Sequence, residues 1–222
     1  MKSNFPKVLH LIGNMTMIEQ VILKTNILKP DSVIVVVGYK ANQVKEVLKN
    51  QNVEFVLQKD QLGTGHAIME CKQKLYSKHG HTMILSGDVP MITQNTLHEM
   101  YEQHINHKND LTLLTANVEN ASGYGRIIIE DDKFIGIIEE KDASEEQRKI
   151  TEINAGIYIF DNRILMENIL KINNNNVQLE YYLPDVIPFI LATNGKIEVK
   201  TTENIEEIRG VNTIEQLSKL NT

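Results

Sequence analysis

Short apolar runs alternate with amphipathic segments along the first half of the chain. The run Val33-Ile34-Val35-Val36-Val37 and a second run that ends near Ser86 both stop at a glycine, a pattern typical of buried strands. A Thr-x-x-Glu capping box at Thr16 and apolar residues at helical spacing predict a helix that ends near Pro30. In this half we predict strands at 33–37, 53–57 and 83–86, and helices at 17–29, 42–50 and 94–106.

The second half is richer in strands. Two β-prone segments flank the turn Asp131-Asp132 and are typical of a hairpin. A helix is predicted at 180–194, with Pro184 in its first turn and Pro188 producing a kink. The other predicted elements are strands at 111–117, 126–129, 134–138, 153–160 and 197–200, and helices at 144–149, 162–172 and 213–220. The pattern predicts an α/β fold with a doubly wound, mixed and mostly parallel sheet and a small β-rich lobe.

The stretch Met83-Ile84-Leu85-Ser86-Gly87-Asp88-Val89-Pro90 contains the first candidate for chemistry. In open α/β sheets, ligands bind outside the carboxyl ends of the strands, which is where Asp88 is predicted to lie. Gly87 would leave room for a ligand to approach the backbone closely. The alternative is that Asp88 only begins a turn, a frequent role for aspartate.

Composition and charge narrow the class of protein. The chain has 222 residues, of which 41% are hydrophobic and 23% charged, as in an ordinary soluble globular domain. The net charge of -6 argues against nucleic-acid binding, which usually needs a basic face. The single cysteine, Cys71, excludes an internal disulfide framework, and we expect it to be a small core residue. No signal peptide or membrane-spanning run is visible, so we expect a cytoplasmic protein without a membrane partner.

Polar clusters at the predicted strand ends suggest a ligand. Lys7 can neutralise phosphate charge, and the amide of Gln58 can both donate to and accept from a base edge. Asp88 and Asn212 carry oxygen atoms of the kind that Mg²⁺ prefers. These residues fit a nucleotide and a sugar phosphate if the strand ends meet at one crevice. No Ser-His-Asp or Cys-His arrangement is evident.

Eight short motifs occur in the order and at the spacing found in one known protein family. In chain order they are Pro6-Lys7-Val8-Leu9-His10, Gln61-Leu62-Gly63-Thr64-Gly65-His66-Ala67, Gly87-Asp88-Val89-Pro90, Gly123-Tyr124-Gly125-Arg126-Ile127, Glu139-Glu140-Lys141-Asp142-Ala143, Glu152-Ile153-Asn154-Ala155-Gly156, Glu180-Tyr181-Tyr182 and Gly210-Val211-Asn212. Together they resemble the uridylyltransferase domain of bacterial N-acetylglucosamine-1-phosphate uridylyltransferases, over nearly the whole chain.

The resemblance implies Mg²⁺-dependent transfer of UMP from UTP to N-acetylglucosamine 1-phosphate, with release of pyrophosphate and no covalent enzyme intermediate. Lys7 and Asp88 would be catalytic, and Asp88 and Asn212 would hold the metal. The nucleotide would be bound by Lys7, Gln58, Gly63 and Thr64. The sugar would be bound by Gly125, Glu139, Asn154, Tyr182 and Asn212.

The resemblance also implies one nucleotidyltransferase domain over 1–222, with a nucleotide-binding half at about 1–110 and a sugar-binding half at about 111–222. The family's first strand and its Leu-Ala-Ala-Gly-x-Gly-Thr-Arg-Met loop would precede Met1, so we expect impaired UTP binding in the sequence as printed. Ser86 and Pro184 also differ from the residues usual in the family. No hexapeptide repeats follow, so we expect no β-helix acetyltransferase domain.

Two other functions stay open. A glucose-1-phosphate uridylyl- or thymidylyltransferase would keep the reaction and change the sugar. A non-catalytic sugar-nucleotide-binding module would have no need of the metal pair Asp88 and Asn212. An exposed sheet edge that needs covering also leaves a homo-oligomer open.

Overall fold

The computed structural model describes residues 5–131 and 133–220. Its strands are β1 (Leu11–Ile12), β2 (Met15–Thr16), β3 (Ile34–Val37), β4 (Glu54–Leu57), β5 (His81–Ile84), β6 (Leu111–Asn117), β7 (Arg126–Glu130), β8 (Lys133–Ile138), β9 (Glu152–Asp161) and β10 (Ile197–Thr202). Its α-helices are α1 (Met17–Thr25), α2 (Ala41–Val47), α3 (Thr64–Glu70), α4 (Lys72–Leu75), α5 (Gln94–His107), α6 (Asn162–Asn168), α7 (Ile187–Ala192), α8 (Ile205–Ile208) and α9 (Ile214–Lys219). Short 3-10 helices lie at Lys7–Leu9, Asn26–Leu28, Gln147–Lys149, Ile169–Lys171 and Leu183–Val186.

Local capping explains where several helices begin. Thr16 accepts a hydrogen bond from the Glu19 backbone N–H, and the Glu19 carboxylate accepts one from the Thr16 backbone N–H, which completes the predicted capping box of α1. Thr213 and Gln216 form the same arrangement at the start of α9. These side chains satisfy backbone donors that have no partner within the helix.

Three predicted elements are wrong in detail. The helix predicted at 144–149 is only a 3-10 helix at Gln147–Lys149. The strand predicted at 83–86 lies at 81–84, because His81–Ile84 pairs with β9 from Asp161 to Tyr158 and the chain leaves the sheet before Leu85. The single helix predicted at 180–194 does not form. A 3-10 helix with Pro184 near its start covers Leu183–Val186, and α7 begins only at Ile187, with Pro188 in its first turn, where proline is tolerated.

The hairpin prediction is confirmed for the strands, since β7 and β8 pair antiparallel with Arg126 opposite Ile138. Asp131 begins the turn with a positive φ of 48°. Asp132, the second predicted turn residue, lies outside the described residues.

The chain divides into two compact units, each discontinuous in sequence. Unit 1 contains residues up to 59, then 85–99 and residues from 206 onward. Strands β3 and β4 pair in parallel there, with Ile34 opposite Glu54. Helices α1 and α2 pack on them through a core that includes Leu9, Ile18, Ile22, Val35, Val37, Val44 and Leu48. The division into a nucleotide-binding half at about 1–110 and a sugar-binding half at about 111–222 stays a prediction.

Unit 2 contains residues 60–84 and 100–205 and is organised around strand β9. Strand β6 pairs antiparallel with β9 on one side, and β10 continues the sheet in parallel with β6. On the other side, β5 pairs with the later part of β9 and β7 with its earlier part. Leu111, Leu113, Leu114, Ile153, Ile157 and Ile159 are almost completely inaccessible to solvent.

The predicted mixed α/β fold is confirmed. Cys71 is 3% exposed, as expected for a core residue, and burial raises the pKa of its thiol to about 11. Within the described ranges, the helices are too short or too polar to cross a membrane.

Candidate active site

Three of the predicted site residues meet in unit 1. Lys7 opens the 3-10 helix after Pro6, Asp88 lies in the turn that follows β5, and Asn212 precedes α9. The Lys7 ammonium donates hydrogen bonds to Asp88 Oδ2 and to Asn212 Oδ1. The structure therefore brings together a cation and two oxygen acceptors from segments that are 81 and 205 residues away from Lys7 in sequence.

Backbone contacts hold these segments in place. The Val211 backbone N–H donates to the Asp88 carbonyl oxygen at 2.9 Å, so the segments that carry Asp88 and Asn212 are directly joined. Val211 is 2% exposed and packs with Ile12 and Met17 in a small apolar cluster. The Asn212 backbone N–H donates to the side chain of Gln216 at 2.7 Å. The segments that carry Asp88 and Asn212 are therefore held in place by backbone hydrogen bonds and by the burial of Val211.

The donor set fits a hard cation. Asp88 Oδ2 and Asn212 Oδ1 both face the Lys7 ammonium, so the two oxygen atoms already converge on one positive group. The side chains of Lys7 and Asp88 keep 29% and 27% exposure, which leaves the site open to a ligand. No group of three or more His, Cys, Asp or Glu with metal-binding geometry occurs among the described residues. Mg²⁺ commonly uses one or two protein oxygens and takes its other ligands from water and phosphate.

The predicted nucleotide-binding residues fall in different units. Gln58 directly follows β4 in unit 1, where its backbone N–H donates to Val37 at 2.8 Å. Gly63 and Thr64 lie in unit 2 at the start of α3. A nucleotide role for these residues stays a prediction.

Gly63 and Thr64 are fixed by a neighbouring segment of unit 2. Gly63 has a φ of 103°, and a Cβ there would lie 2.6 Å from the Tyr181 carbonyl oxygen. The Tyr181 N–H donates to Leu62 at 2.7 Å, and the Leu183 N–H donates to the Thr64 hydroxyl at 3.1 Å. Only glycine fits at position 63, because both the positive φ and the close approach exclude a side chain.

Three predicted sugar-binding residues are adjacent in unit 2. The Asn154 backbone N–H donates to the Gly125 carbonyl at 2.9 Å. A Cβ on Gly125 would lie 3.2 Å from Glu139 Oε1, so this glycine makes room for the carboxylate. Asn154 is 7% exposed, and its side-chain amide donates to the Tyr158 hydroxyl at 2.6 Å. The packing of Gly125, Glu139 and Asn154 is therefore close and specific.

Tyr182 and Glu139 line one cleft of about 210 Å³ in unit 2. The other lining residues are Ile137, Ile138, Asp142, Asn175, Asn176, Pro184 and Asp185. The Tyr182 hydroxyl donates to Asp142 Oδ2 at 3.3 Å and accepts from Gln178 at 2.8 Å. Asp142 Oδ1 also accepts from the Val177 backbone N–H at 3.0 Å. Asp142 thus joins Tyr182 to the segment that precedes it.

The cleft raises the pKa values of its acidic groups. Burial, followed by the charge of Asp142, raises the pKa of Asp185 to about 6. Burial also raises the pKa of Glu139, with further contributions from Asp185, Asp142 and Glu180. The pKa of Tyr182 rises to about 12, mainly through burial. Carboxyl groups held closer to their protonated form can donate as well as accept hydrogen bonds.

Asp142 and Asp185 were missed as site residues by the sequence reasoning. Asp142 lies in the motif Glu139 to Ala143 and gives no separate signal, and Asp185 lies within the predicted helix 180–194, which does not form. Asn175 and Asn176 belong to an asparagine tract that resembles an ordinary surface loop in sequence. Asn176 bonds the Glu180 backbone through both its amide nitrogen and its carbonyl oxygen, at 2.6 and 3.2 Å, so the tract has a defined structure.

With this geometry in place, comparison with known proteins decides the family. A sequence model described as nucleotidyl transferase matches residues 2–203. The chain belongs to the nucleotidyl transferase family. The matched region includes Lys7 and Asp88, whereas Asn212 lies beyond its last residue.

Curated relatives of this nucleotidyl transferase are named Bifunctional protein GlmU. The chain is 46% identical to that of Streptococcus uberis and 43% identical to one from Streptococcus agalactiae, over 213 residues in each case. These alignments cover 96% of this chain and 46% of each relative. The chain therefore spans about half the length of the curated relatives that it matches.

Solved structures show the same fold at low sequence identity. A UDP-glucose pyrophosphorylase complexed with UDP-glucose has a TM-score of 0.74 at 16% identity, covering 98% of this chain and 89% of its own. A putative glucose-1-phosphate thymidylyltransferase from Bacillus anthracis has a TM-score of 0.70 at 18% identity, covering 97% and 85%. At this identity the comparison supports the nucleotidyl transferase fold alone.

Proposed function

We propose that the chain transfers UMP from UTP to N-acetylglucosamine 1-phosphate, forming UDP-N-acetylglucosamine and pyrophosphate with the help of Mg²⁺. The observation that carries this proposal is the meeting of Lys7, Asp88 and Asn212 in unit 1. The similarity to Bifunctional protein GlmU over 96% of the chain favours this reaction within the family.

The chemistry requires positioning and charge neutralisation more than bond making by the protein. Lys7 would move from its carboxylate and amide partners to a phosphate oxygen and offset its negative charge. Asp88 and Asn212 would hold Mg²⁺, which when bound neutralises phosphate charge and orients the reacting oxygens. The sugar phosphate itself is the nucleophile, so no side chain has to form a covalent intermediate.

In unit 2, the sugar would be held by groups that both donate and accept hydrogen bonds. The Gly125 backbone, Glu139, Asn154 and Tyr182 are the predicted contacts, and the last three carry polar side chains that are at least partly buried. A site built to hydrogen-bond one sugar rejects an analogue that cannot make the same bonds, so such contacts would discriminate between sugars. Burial raises the pKa of Glu139, and its carboxyl group can accept a hydrogen bond from a hydroxyl or amide group of the ligand.

Pyrophosphate release tests the reaction directly. The full chain would be incubated with UTP, Mg²⁺ and either N-acetylglucosamine 1-phosphate or glucose 1-phosphate. We expect faster release with the acetamido sugar and loss of release in Asp88→Asn, which retains the size of the side chain and removes its charge. Faster release with glucose 1-phosphate would assign the other sugar, and full activity of Asp88→Asn would refute its metal role.

Binding of the product provides a second, independent measurement. We expect calorimetry to detect UDP-N-acetylglucosamine binding in the unaltered chain and weaker binding in Glu139→Ala. Glu145→Ala is the matched control, because this acidic residue is exposed. Binding without pyrophosphate release would assign a non-catalytic sugar-nucleotide-binding module instead.

A further inference from the structure

Glu207 is a buried carboxylate of unit 1 that the proposed reaction does not use. It lies in α8 and is 2% exposed. Asn212 follows this helix closely, and Asp88 lies in the turn shortly before α5. Glu207 is therefore near, in sequence, to one of the two proposed metal ligands and in contact with the helix that follows the other.

The contacts of Glu207 have the form of a helix cap. Its Oε2 atom accepts from the Thr93 backbone N–H at 3.2 Å, and both carboxylate oxygens accept from the Thr96 hydroxyl, at 3.0 and 2.8 Å. Thr93 Oγ1 accepts from the Thr96 backbone N–H at 3.1 Å, which makes Thr93 the N-cap of α5. In a capping box the acid stands three residues after the N-cap, as Glu19 does in α1. For α5 the acid comes from 114 residues away.

This contact is difficult to displace. Removing a carboxylate from water is costly unless hydrogen bonds compensate for its lost hydration. The N-terminus of the 14-residue helix α5 adds a favourable interaction with negative charge. Glu207 therefore fixes α8 to the start of α5, and an alternative position would leave either the carboxylate or the helix N-terminus without its partner.

Two further anchors transmit this restraint to the site. Ile208 is 1% exposed and Val211 is 2% exposed, so the segment between α8 and Asn212 is held by apolar burial. The Val211 N–H bonds the Asp88 carbonyl at 2.9 Å. The chain from Glu207 to Asn212 is thus pinned at its beginning by the α5 cap and near its end by the Asp88 turn.

We propose that Glu207 is a positioning residue that holds Asn212 opposite Asp88 and so sets the affinity of this pair for a divalent cation. The proposal rests on the proposed metal role of Asp88 and Asn212. Glu207 contacts neither oxygen and acts through the separation of the two segments. Outer groups that hydrogen-bond a metal ligand directly change metal affinity by about 10- to 100-fold when they are removed, and we expect the lower end of that range for Glu207, which acts through the backbone.

Mn²⁺ binding to the full chain, followed by electron paramagnetic resonance of the free ion, tests this role without an activity assay. Glu207→Ala should weaken Mn²⁺ binding about tenfold. Glu207→Gln keeps an acceptor oxygen for the Thr93 and Thr96 donors and should lose less. Glu206→Ala is the matched control, because Glu206 is in the same helix and its 65% exposed side chain pairs with Arg209. The Mn²⁺ affinity of Glu206→Ala should equal that of the unaltered chain.

A double-variant cycle separates positioning from general loss of stability. If Glu207 acts through the pair, Glu207→Ala should add little to the loss already caused by Asp88→Asn. Fully additive losses, or an unchanged affinity in Glu207→Ala, would overturn the proposal. Circular dichroism would identify variants that do not fold. For that case, Thr96→Val removes only the hydroxyl donor and should weaken Mn²⁺ binding in the same direction; unchanged affinity there would also overturn the proposal.

The same measurements distinguish this proposal from the proposed function. Unchanged Mn²⁺ binding in Asp88→Asn would refute the metal pair, and the role of Glu207 would fail with it. Weaker binding in Asp88→Asn together with normal binding in Glu207→Ala would retain the metal pair and reject only the positioning role.

Discussion

Asp142 shows how much one side chain can do in the cleft of unit 2. Its two oxygens accept from the Tyr182 hydroxyl and from the Val177 backbone N–H. Hydrogen bonds to a charged acceptor are worth about 1.5–3 kcal/mol each in measured cases. Asp142 is therefore expected to fix both the aromatic ring and the preceding segment in the positions that a sugar ligand would meet.

Asp142→Ala should raise the KM for N-acetylglucosamine 1-phosphate about tenfold, the equivalent of one such hydrogen bond. The KM for UTP should stay unchanged, because Asp142 shares the cleft with the predicted sugar-binding residues Glu139 and Tyr182. Initial rates measured with each substrate varied in turn provide both values. Glu146→Ala serves as the control, since that side chain is 83% exposed. An equal rise in both KM values would contradict a role in sugar binding.

At the scale of helices and strands, the sequence predicts most elements because their signals are local. The capping box at Thr16 predicts a helix start that the structure contains. The predicted boundaries are wrong where pairing with a segment distant in sequence determines where an element begins or ends. Strand β5 begins at His81 because β9 pairs with it, and the segment after Glu180 is tied to Leu62 and Gly65. Local patterns carry no record of such pairings.

Gly63 and Gly80 allow the docking of α3 to be tested. Both have positive φ, but a Cβ on Gly63 would meet Tyr181 whereas one on Gly80 has nothing within 4 Å. Gly80→Ala should cost only the left-handed backbone strain, about 1–2 kcal/mol. Gly63→Ala should cost clearly more, because the Tyr181 backbone must also move.

Urea unfolding followed by circular dichroism measures both costs. The difference between the two alanine variants measures the close approach together with the extra backbone strain at Gly63, whose φ of 103° and ψ of 176° lie in a region essentially confined to glycine. Equal losses would show that the contact with Tyr181 contributes little to stability.

At the scale of the whole molecule, some residues of unit 1 can be assigned to the site from sequence motifs, whereas others can be recognised only from the structure. Lys7, Asp88 and Asn212 were predicted to act together because each stands in a recognisable motif, and the structure brings them together. Glu207 gave no signal, since its partners Thr93 and Thr96 are more than 100 residues away. Both units are built from separated stretches, so no linear division of the chain could have found them.

Stability against pH should depend on His104, which is fully buried between His81 and Thr112. Burial, and next the charge of His81, lowers the pKa of His104 to about 4 from an ordinary 6.5. The unfolded chain therefore takes up this proton first as the pH falls. The contribution of His104 to folding is complete above pH 6.5 and is lost progressively towards pH 4, by up to about 3 kcal/mol.

Asp185 acts in the opposite direction, because its raised pKa favours the folded state at low pH and this advantage is lost as the pH rises through 6. Asp185 is present in both the unaltered chain and the His104→Gln variant, so its contribution cancels when the two are compared. Free energies of unfolding measured from about pH 7 to pH 4 should fall less steeply in His104→Gln than in the unaltered chain. His98→Gln, an exposed position on the same helix, should follow the unaltered chain. Parallel curves for His104→Gln would reject this role for His104.

The ammonium of Lys7 is hydrogen-bonded to Asp88 Oδ2 and Asn212 Oδ1, the same two oxygens that are the proposed ligands of a divalent cation. If Asp88 and Asn212 hold the metal as proposed, lysine and metal would compete, and a bound phosphate that attracts the lysine would release both oxygens for the metal. Nucleotide and cation binding would then be linked, each strengthening the other by the same factor. Lys7→Gln should bind Mn²⁺ more tightly than the unaltered chain when nucleotide is absent and gain less when it is added. Weaker Mn²⁺ binding by Lys7→Gln would rule out competition.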